Sequence, residues 1–160
     1  CVCYSSEYGV PVTIARLAQT FGAGVSSEDT RVFAQFAHSA MTGEDIVLHT
    51  TGTSCGNYVY TADAATAIFT LLKKGASGEC YTVANETSSM QIKDMAALVA
   101  NCVADGKIKA VIDVPEGDKF GYAPDVKLKL DASKLRSLGW KPQINLEESY
   151  KRLIKYWQEN

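Results

Sequence analysis

Val32, Phe33, Phe36, Ala37, Ala40 and Met41 recur at the three- and four-residue spacing of a helix, and Gly43 ends the run. The same period predicts helices over Asp63–Lys74, with Ala64, Ala67, Ile68, Leu71 and Leu72 inward, and over Met90–Ala104, with Ile92, Met95, Leu98, Val99 and Cys102 as its stripe. It also predicts one over Leu146–Gln158, through Leu146, Tyr150, Leu153, Ile154 and Trp157. Asp63 is read as the N-cap of its helix, and Ser88 or Ser89 as the cap of the next. Between the helices lie short β-branched runs. Val10–Leu17 reads as a buried parallel strand, leaving the charge of Arg16 in need of a structural partner, and Gln19–Gly24 as a glycine-bounded loop at its carboxyl end. Asp45–His49, Asn57–Thr61, Glu79–Ala84 and Lys109–Val114 read as further strands, Thr50–Gly56 as a polar turn and Pro115–Pro124 as a loop.

The run Leu130–Pro142 is the most distinctive. Asp131 or Ser133 can cap a short helix, Leu135 and Leu138 share a face, Gly139 stops it, and Trp140 anchors its exit to a core. Cys1–Tyr8 reads as the last turns of a helix that stops at Gly9. A start at Cys1 with neither Met nor a cap predicts a chain whose N-terminal part lies upstream.

Composition narrows the class. The 160 residues are 46% hydrophobic and 21% charged with a net charge of −2, which suits a single globular domain, mixed α/β by the order of its elements, and gives no electrostatic support to nucleic-acid or membrane-surface binding. Five cysteines without Cys-x-x-Cys spacing argue against a zinc site or a disulfide framework and favour reduced thiols in the cytoplasm. His38 and His49 have no nucleophile elbow nearby. Asp45 and Asp63 form no evident acid/base pair, and Tyr58, Tyr60, Tyr81, Tyr150 and Trp157 read as core and edge packing. No catalytic residue and no metal ligand is assigned.

Four blocks in order carry a resemblance: Pro11–Leu17 through Gly24, the helix ending Thr42-Gly43-Glu44, Gly52 through Asp63, and Ser133-Lys134 with Leu138-Gly139-Trp140-Lys141-Pro142. Together they resemble the C-terminal half of an extended short-chain dehydrogenase/reductase of the NAD-dependent nucleotide-sugar epimerase, dehydratase and decarboxylase family. The resemblance implies the substrate-binding part of a Rossmann-type enzyme, with residues 1–24 and about 79–104 completing the sheet of an N-terminal part. It implies NAD as the cofactor, bound mostly by that part, and a nucleoside diphosphate sugar as the substrate, handled through a keto-sugar intermediate. The family's Gly-rich turn and Tyr-x-x-x-Lys pair do not occur in this sequence, so the chain alone is expected to be inactive.

Carried over by position, Leu17 and Ala18 fall near the nicotinamide, and Gln19 replaces an Asn that hydrogen-bonds the substrate. His49 falls where the family's strand passes the nucleobase; it either stacks there or simply ends a strand. Gly56 stands where the family has the arginine that clamps the diphosphate, Asn57 replaces the acidic residue after it, and a second arginine expected near Val114–Asp118 is absent. Arg31, Lys119, Lys127 and Lys129 are the candidates to compensate, Arg31 first, with a solvated helix start as its other reading. These departures leave open a non-catalytic binding module with an altered ligand or a protein partner. The unpaired strands further predict an apolar edge able to self-associate into a homo-oligomer.

Overall fold

In the computed structural model of the protein, residues 2–116 and 124–160 are described; Cys1 and most of the expected Pro115–Pro124 loop, Lys119 included, lie outside them. The chain runs α1 (Val2–Tyr8), β1 (Ile14–Leu17), β2 (Gln19–Phe21), α2 (Val32–Thr42), β3 (Ile46–Leu48), β4 (Cys55–Tyr60) and α3 (Thr61–Lys74). It continues through β5 (Cys80–Val83), β6 (Asn85–Gln91), α4 (Ile92–Leu98) with a π-helical turn over Val99–Val103, β7 (Ala110–Ile112), α5 (Ser133–Ser137) and α6 (Leu146–Glu159). Among these residues no helix is long and apolar enough to cross a membrane.

The strands form three small sheets. β1 pairs in parallel with β5, and β3 in parallel with β7. β4 is central to the third sheet, with β2 parallel on one edge and β6 antiparallel on the other. The chain changes sheets at single residues, Ala18 between β1 and β2 and Ala84 between β5 and β6, and the Ala18 N–H donates to the Val83 carbonyl across that step at 2.8 Å.

β4 also divides the core. Tyr58 packs with Phe21, Phe33, Met95, Val99, Tyr150 and Leu153, while Val59 packs with Ala67, Leu71, Val83, Leu135 and Trp140. Phe21 stacks on Phe33 at 4.6 Å and meets Tyr150 at 5.0 Å, which ties β2 to α2 and α6. α6 begins as its sequence demands: Asn145 Oδ1 accepts from the Glu148 N–H at 2.8 Å.

Several expectations change. Val10–Leu17 pairs only over Ile14–Leu17, and the strand is not buried: Arg16 is exposed and Leu17 is 47% exposed, so the arginine needs no buried partner. Gln19–Phe21 is a strand rather than a loop. Asn85–Gln91 is also a strand, with Ser88 buried within it, so the helix starts two residues later than expected, after Gln91, with no side-chain cap. On α3, Ile68 and Leu72 face outwards beside Phe69, 41%, 78% and 69% exposed, and Cys102 and Met41 are also exposed.

Asp63 is a buried anchor in the first turn of α3, not its cap. One carboxylate oxygen accepts from the backbone N–H groups of Gln143 and Ile144, each at 3.0 Å, and its own carbonyl accepts from Trp140 Nε1 at 3.2 Å. Within Leu130–Pro142 only α5 is helical, and its N-cap is Ala132, with no side-chain cap bond, rather than Asp131 or Ser133; Asp131, one residue earlier, accepts from the Ser133 N–H and hydroxyl, and Leu135 and Trp140 are buried.

Removing the carboxylate of Asp63 leaves the Gln143 and Ile144 N–H groups without their acceptor and the buried side-chain site empty. Asp63→Ala is expected to lower stability by about 2–3 kcal/mol in urea unfolding followed by intrinsic fluorescence, and Asp63→Asn, which keeps an acceptor, by less than half of that.

Candidate functional site

β4 brings together what lies far apart in sequence. Tyr58 is flanked in register by Gln19 of β2 and Asn85 of β6, and Cys55 is opposite Gln91. The sheet closes tightly at Gly22, where φ is +149° and a Cβ would come within 2.3 Å of the Tyr60 ring; only glycine lets β2 leave at this point.

The irregular pairing between Gly56 and Tyr58 folds the Tyr58 side chain back over Gly56, whose added Cβ would stand 3.0 Å from the phenolic oxygen. Burial, with a smaller contribution from Cys55, pushes the Tyr58 phenol up to about 12, so it stays neutral. Asn57 is buried, and its Oδ1 accepts from the Leu130 N–H at 2.8 Å.

Beyond β4 opens a cleft of about 550 Å³ lined by Cys55, Ser89, Gln91, Asp125, Lys127 and Lys129, with Thr53 and Leu128 at its sides. One wall is a strap, residues 124–129, laid along Cys55. The Cys55 N–H donates to the Val126 carbonyl at 2.6 Å, and the Leu128 N–H donates back to the Cys55 carbonyl at 3.3 Å. Asp125 fastens the strap by accepting from the hydroxyls of Thr53 and Ser54, the latter at 2.9 Å. The strap thus carries two ammonium groups into the cleft against one carboxylate already engaged. Gln91 brings an amide whose Oε1 is enclosed without a hydrogen-bond partner.

The residues singled out from sequence fall in three places. Leu17, Ala18 and Gln19 are consecutive at the carboxyl end of β1, where open α/β sheets bind ligands; Leu17 presents an exposed apolar side chain, and Ala18 is buried. His49 follows β3, half-buried, with Nδ1 3.3 Å from the Asp113 carbonyl. The loop after it is pinned to the start of α4, where the Lys93 N–H donates to the Gly52 carbonyl at 3.0 Å and the Ile92 N–H to that of Ser54 at 2.9 Å. Arg31 is engaged elsewhere: Asp29 holds its guanidinium through Nε and Nη2, at 3.0 and 2.5 Å from Oδ2, and it lies 4.7 Å over the Phe33 ring.

Of the compensating cations, Lys127 and Lys129 line the cleft and Arg31 does not. Sequence reasoning overlooked Cys55, Ser89, Gln91 and Asp125. The alternation Asp125-Val126-Lys127-Leu128-Lys129-Leu130 was the available signal for the strap, since it is the pattern of an edge strand. Among the described residues no group of His, Cys, Asp or Glu could hold a metal ion.

Short parallel strand pairs joined and flanked by helices make this a mixed α/β fold. The model of the NAD dependent epimerase/dehydratase family matches residues 1–85, and the chain belongs to that family. The dTDP-D-glucose 4,6-dehydratase of Bos taurus is 26% identical over 160 residues, taking in 98% of this chain and 44% of that protein. UDP-glucuronic acid decarboxylase 1 of Xenopus tropicalis is 26% identical over 159 residues, 99% of this chain and 36% of the relative. The UDP-glucose 4-epimerase of Thermotoga maritima, solved with UDP-glucose, matches 98% of this chain and 49% of its own with a TM-score of 0.81 at 25% identity. The dTDP-glucose 4,6-dehydratase of Bacillus anthracis, solved with NAD, shares the fold at a TM-score of 0.77 and 18% identity, over 99% of this chain and 48% of its own. The chain therefore spans about half the length of these proteins or less.

The hydroxyls of Thr53 and Ser54 and the nearby charge of Lys127 hold the Asp125 carboxyl below its usual range. A lowered folded value means that the fastening is fully present above the ordinary aspartate range, near pH 4, and is lost as pH falls through the depressed value. Asp125→Ala should release the strap at neutral pH. The Val126 and Leu128 amides are expected to exchange about tenfold faster by NMR, while the amides of α6 stay unchanged.

Proposed function

We propose that this chain is the substrate-holding portion of an NAD-dependent enzyme that epimerises, dehydrates or decarboxylates a nucleoside diphosphate sugar through a keto-sugar intermediate. The observation that carries this reading is the cleft beside Gly56. Gly56, where the family has its clamping arginine, has no side chain and is covered by the Tyr58 ring, whereas Lys127 and Lys129 line the cleft next to it, at Cys55, and offer positive charge there. Lysines meet phosphate as point charges rather than as a bidentate fork, so they hold a diphosphate with less angular demand.

The other side chains fit roles around that anion. Gln19 beside Tyr58 offers an amide to sugar hydroxyls. His49, oriented by donating from Nδ1 to the Asp113 carbonyl, presents a flat ring toward the base. Arg31 would reach a phosphate only by exchanging Asp29 for it, which makes it the weaker cation of the set. The exposed Leu17 side chain supports an apolar contact with the nicotinamide, and Ala18, small and buried, leaves room behind it. NAD, when bound, supplies reversible hydride transfer at a sugar carbon. The family's Gly-rich turn does not occur in this sequence, in keeping with a cofactor bound mostly by another part of the polypeptide. This chain would orient the sugar and keep water away, and it would be inactive alone.

The parallel pair β1 and β5 supports the reading that residues 1–24 and about 79–104 complete a larger sheet. The exposed Leu17, Ile68, Phe69 and Leu72 support burial against the rest of such a sheet or a second copy. Free thiols at Cys3, Cys55, Cys80 and Cys102 fit a cytoplasmic setting. The binding-module alternative keeps one specific support, the arginine-free position at Gly56.

Calorimetric titration of the full natural polypeptide with NAD, then with uridine and thymidine diphosphate sugars, tests the reading. NAD binding followed by sugar-nucleotide binding is expected, and replacing both Lys127 and Lys129 by Ala should weaken the second step about 10- to 100-fold, leaving the first unchanged. NAD binding with no sugar-nucleotide response would mean a different substrate, and no binding of either would favour the non-catalytic module.

A further inference from the structure

The small sheet of β3 and β7 has an open edge. Among the described residues β7 pairs only with β3. The Ile46 N–H donates to the Lys109 carbonyl at 2.8 Å and the Asp113 N–H to the Leu48 carbonyl at 2.9 Å. Alternate residues of a parallel ladder bond to the same side, so the N–H and C=O groups of Ala110 and Ile112 face away from β3. The core covers β3 and stops short of β7: Ile46 and Leu48 are buried, whereas Ala110, Val111, Ile112 and Val114 are exposed, Ile112 and Val114 at 53% and 52%. On the outer face Val47 and Val111, partners in register, are exposed side by side. An apolar strand edge of this kind is a template for another strand.

The residues along the edge are complementary to themselves. Lys109-Ala110-Val111-Ile112-Asp113 carries opposite charges two residues to either side of Val111, both on exposed side chains. We propose that β7 is an interface with a second copy of this chain, the two β7 strands pairing antiparallel about a two-fold axis at Val111. In that register Ala110 exchanges hydrogen bonds with Ile112 of the second copy, and Ile112 with its Ala110, which uses the outward groups. Lys109 then lies opposite Asp113 twice, once in each direction. On the outer face Val47, Val111 and their two counterparts form one row across a four-stranded sheet. Centring the pair on Ala110 or Ile112 sets Val111 against Lys109 or Asp113 instead. Registers between these oppose a residue bonded to β3 with one that faces outward. The inference goes beyond the function proposed above: it holds whatever ligand the cleft takes, and it uses a surface other than Leu17 and the exposed face of α3.

Sedimentation equilibrium of the natural polypeptide at low salt reads the association, with Lys109→Asp, Asp113→Lys and the double exchange as variants. Either single exchange sets like charges opposite each other twice and is expected to weaken self-association about tenfold, and the double exchange to return it to within about threefold of the wild type. Both side chains are exposed, so all three variants should melt within a few degrees of the wild type. The register has its own check by mild oxidation. Val111→Cys places two thiols directly across the axis, on Cα atoms about 4.5 Å apart, and is expected to give a disulfide-linked dimer well beyond the wild-type level. Lys109→Cys, whose two copies would lie about 14 Å apart, is expected to give none alone and a dimer when mixed with Asp113→Cys.

A monomer overturns the proposal, as does an association that neither single exchange weakens or that the double exchange fails to restore; β7 is then an edge guarded by Lys109 and Pro115. If an exchanged variant melts well below the wild type, the oxidation decides alone, and absence of the Val111→Cys dimer overturns the interface. Neither measurement involves a ligand, so failure here leaves the proposed function standing.

Discussion

β4 has two edges of backbone donors and acceptors and three neighbours to satisfy them. β2 takes one edge along Tyr58–Tyr60, while β6 and the 124–129 strap share the ends of what remains around Cys55 and Gly56. Buried backbone groups must be paired, so this strand cannot shift its register without undoing all three contacts. The site follows from that constraint. Gln19 reaches Tyr58 because β2 pairs there, Gln91 reaches Cys55 because β6 does, and the lysines face the cleft because the strap is bonded to the same residue.

Helices with a wide apolar stripe and a glycine stop were legible along the chain, and so was the Leu130–Trp140 segment, because its buried leucine, its stop and its tryptophan anchor all lie within a few residues. Local signals failed where pairing partners are distant. Asn85–Gln91 is polar and reads as a helix approach, yet β4 offers it an edge, and a paired backbone outweighs the capping preference of Ser88 or Ser89. Asp63 looks like a cap by position and serves as an anchor instead, because the amides of Gln143 and Ile144 arrive from the far end of the chain. Outward Ile68 and Leu72 have the same origin: periodicity tells which residues share a face, not what covers that face.

The candidate site was half visible. Gln19, His49 and the missing arginine at Gly56 could be placed by motif, and Lys127 and Lys129 by charge. The cleft itself could not, since it exists only when the strap lies against Cys55. Nor can a sequence show that Gln91 Oε1 is enclosed without a partner, because that depends on which donors the fold happens to leave out. The bulge at Gly56 is likewise a tertiary fact: Tyr58 folds over the glycine and occupies the space into which a larger side chain would grow.

The strap is thinly attached. Val126 and Leu128 are 52% and 41% exposed, so it buries little apolar surface and depends on a few backbone bonds and one carboxylate. Segments of this kind sit at the low end of local stability. Charge delivered by such a segment ties recognition to ordering: an anion drawn to the lysines must stabilise the strap, and by reciprocity a strap already settled must bind the anion more tightly. Under the proposed function, affinity at this cleft depends on the Thr53 and Ser54 hydroxyls that fasten the strap as well as on the cations it carries.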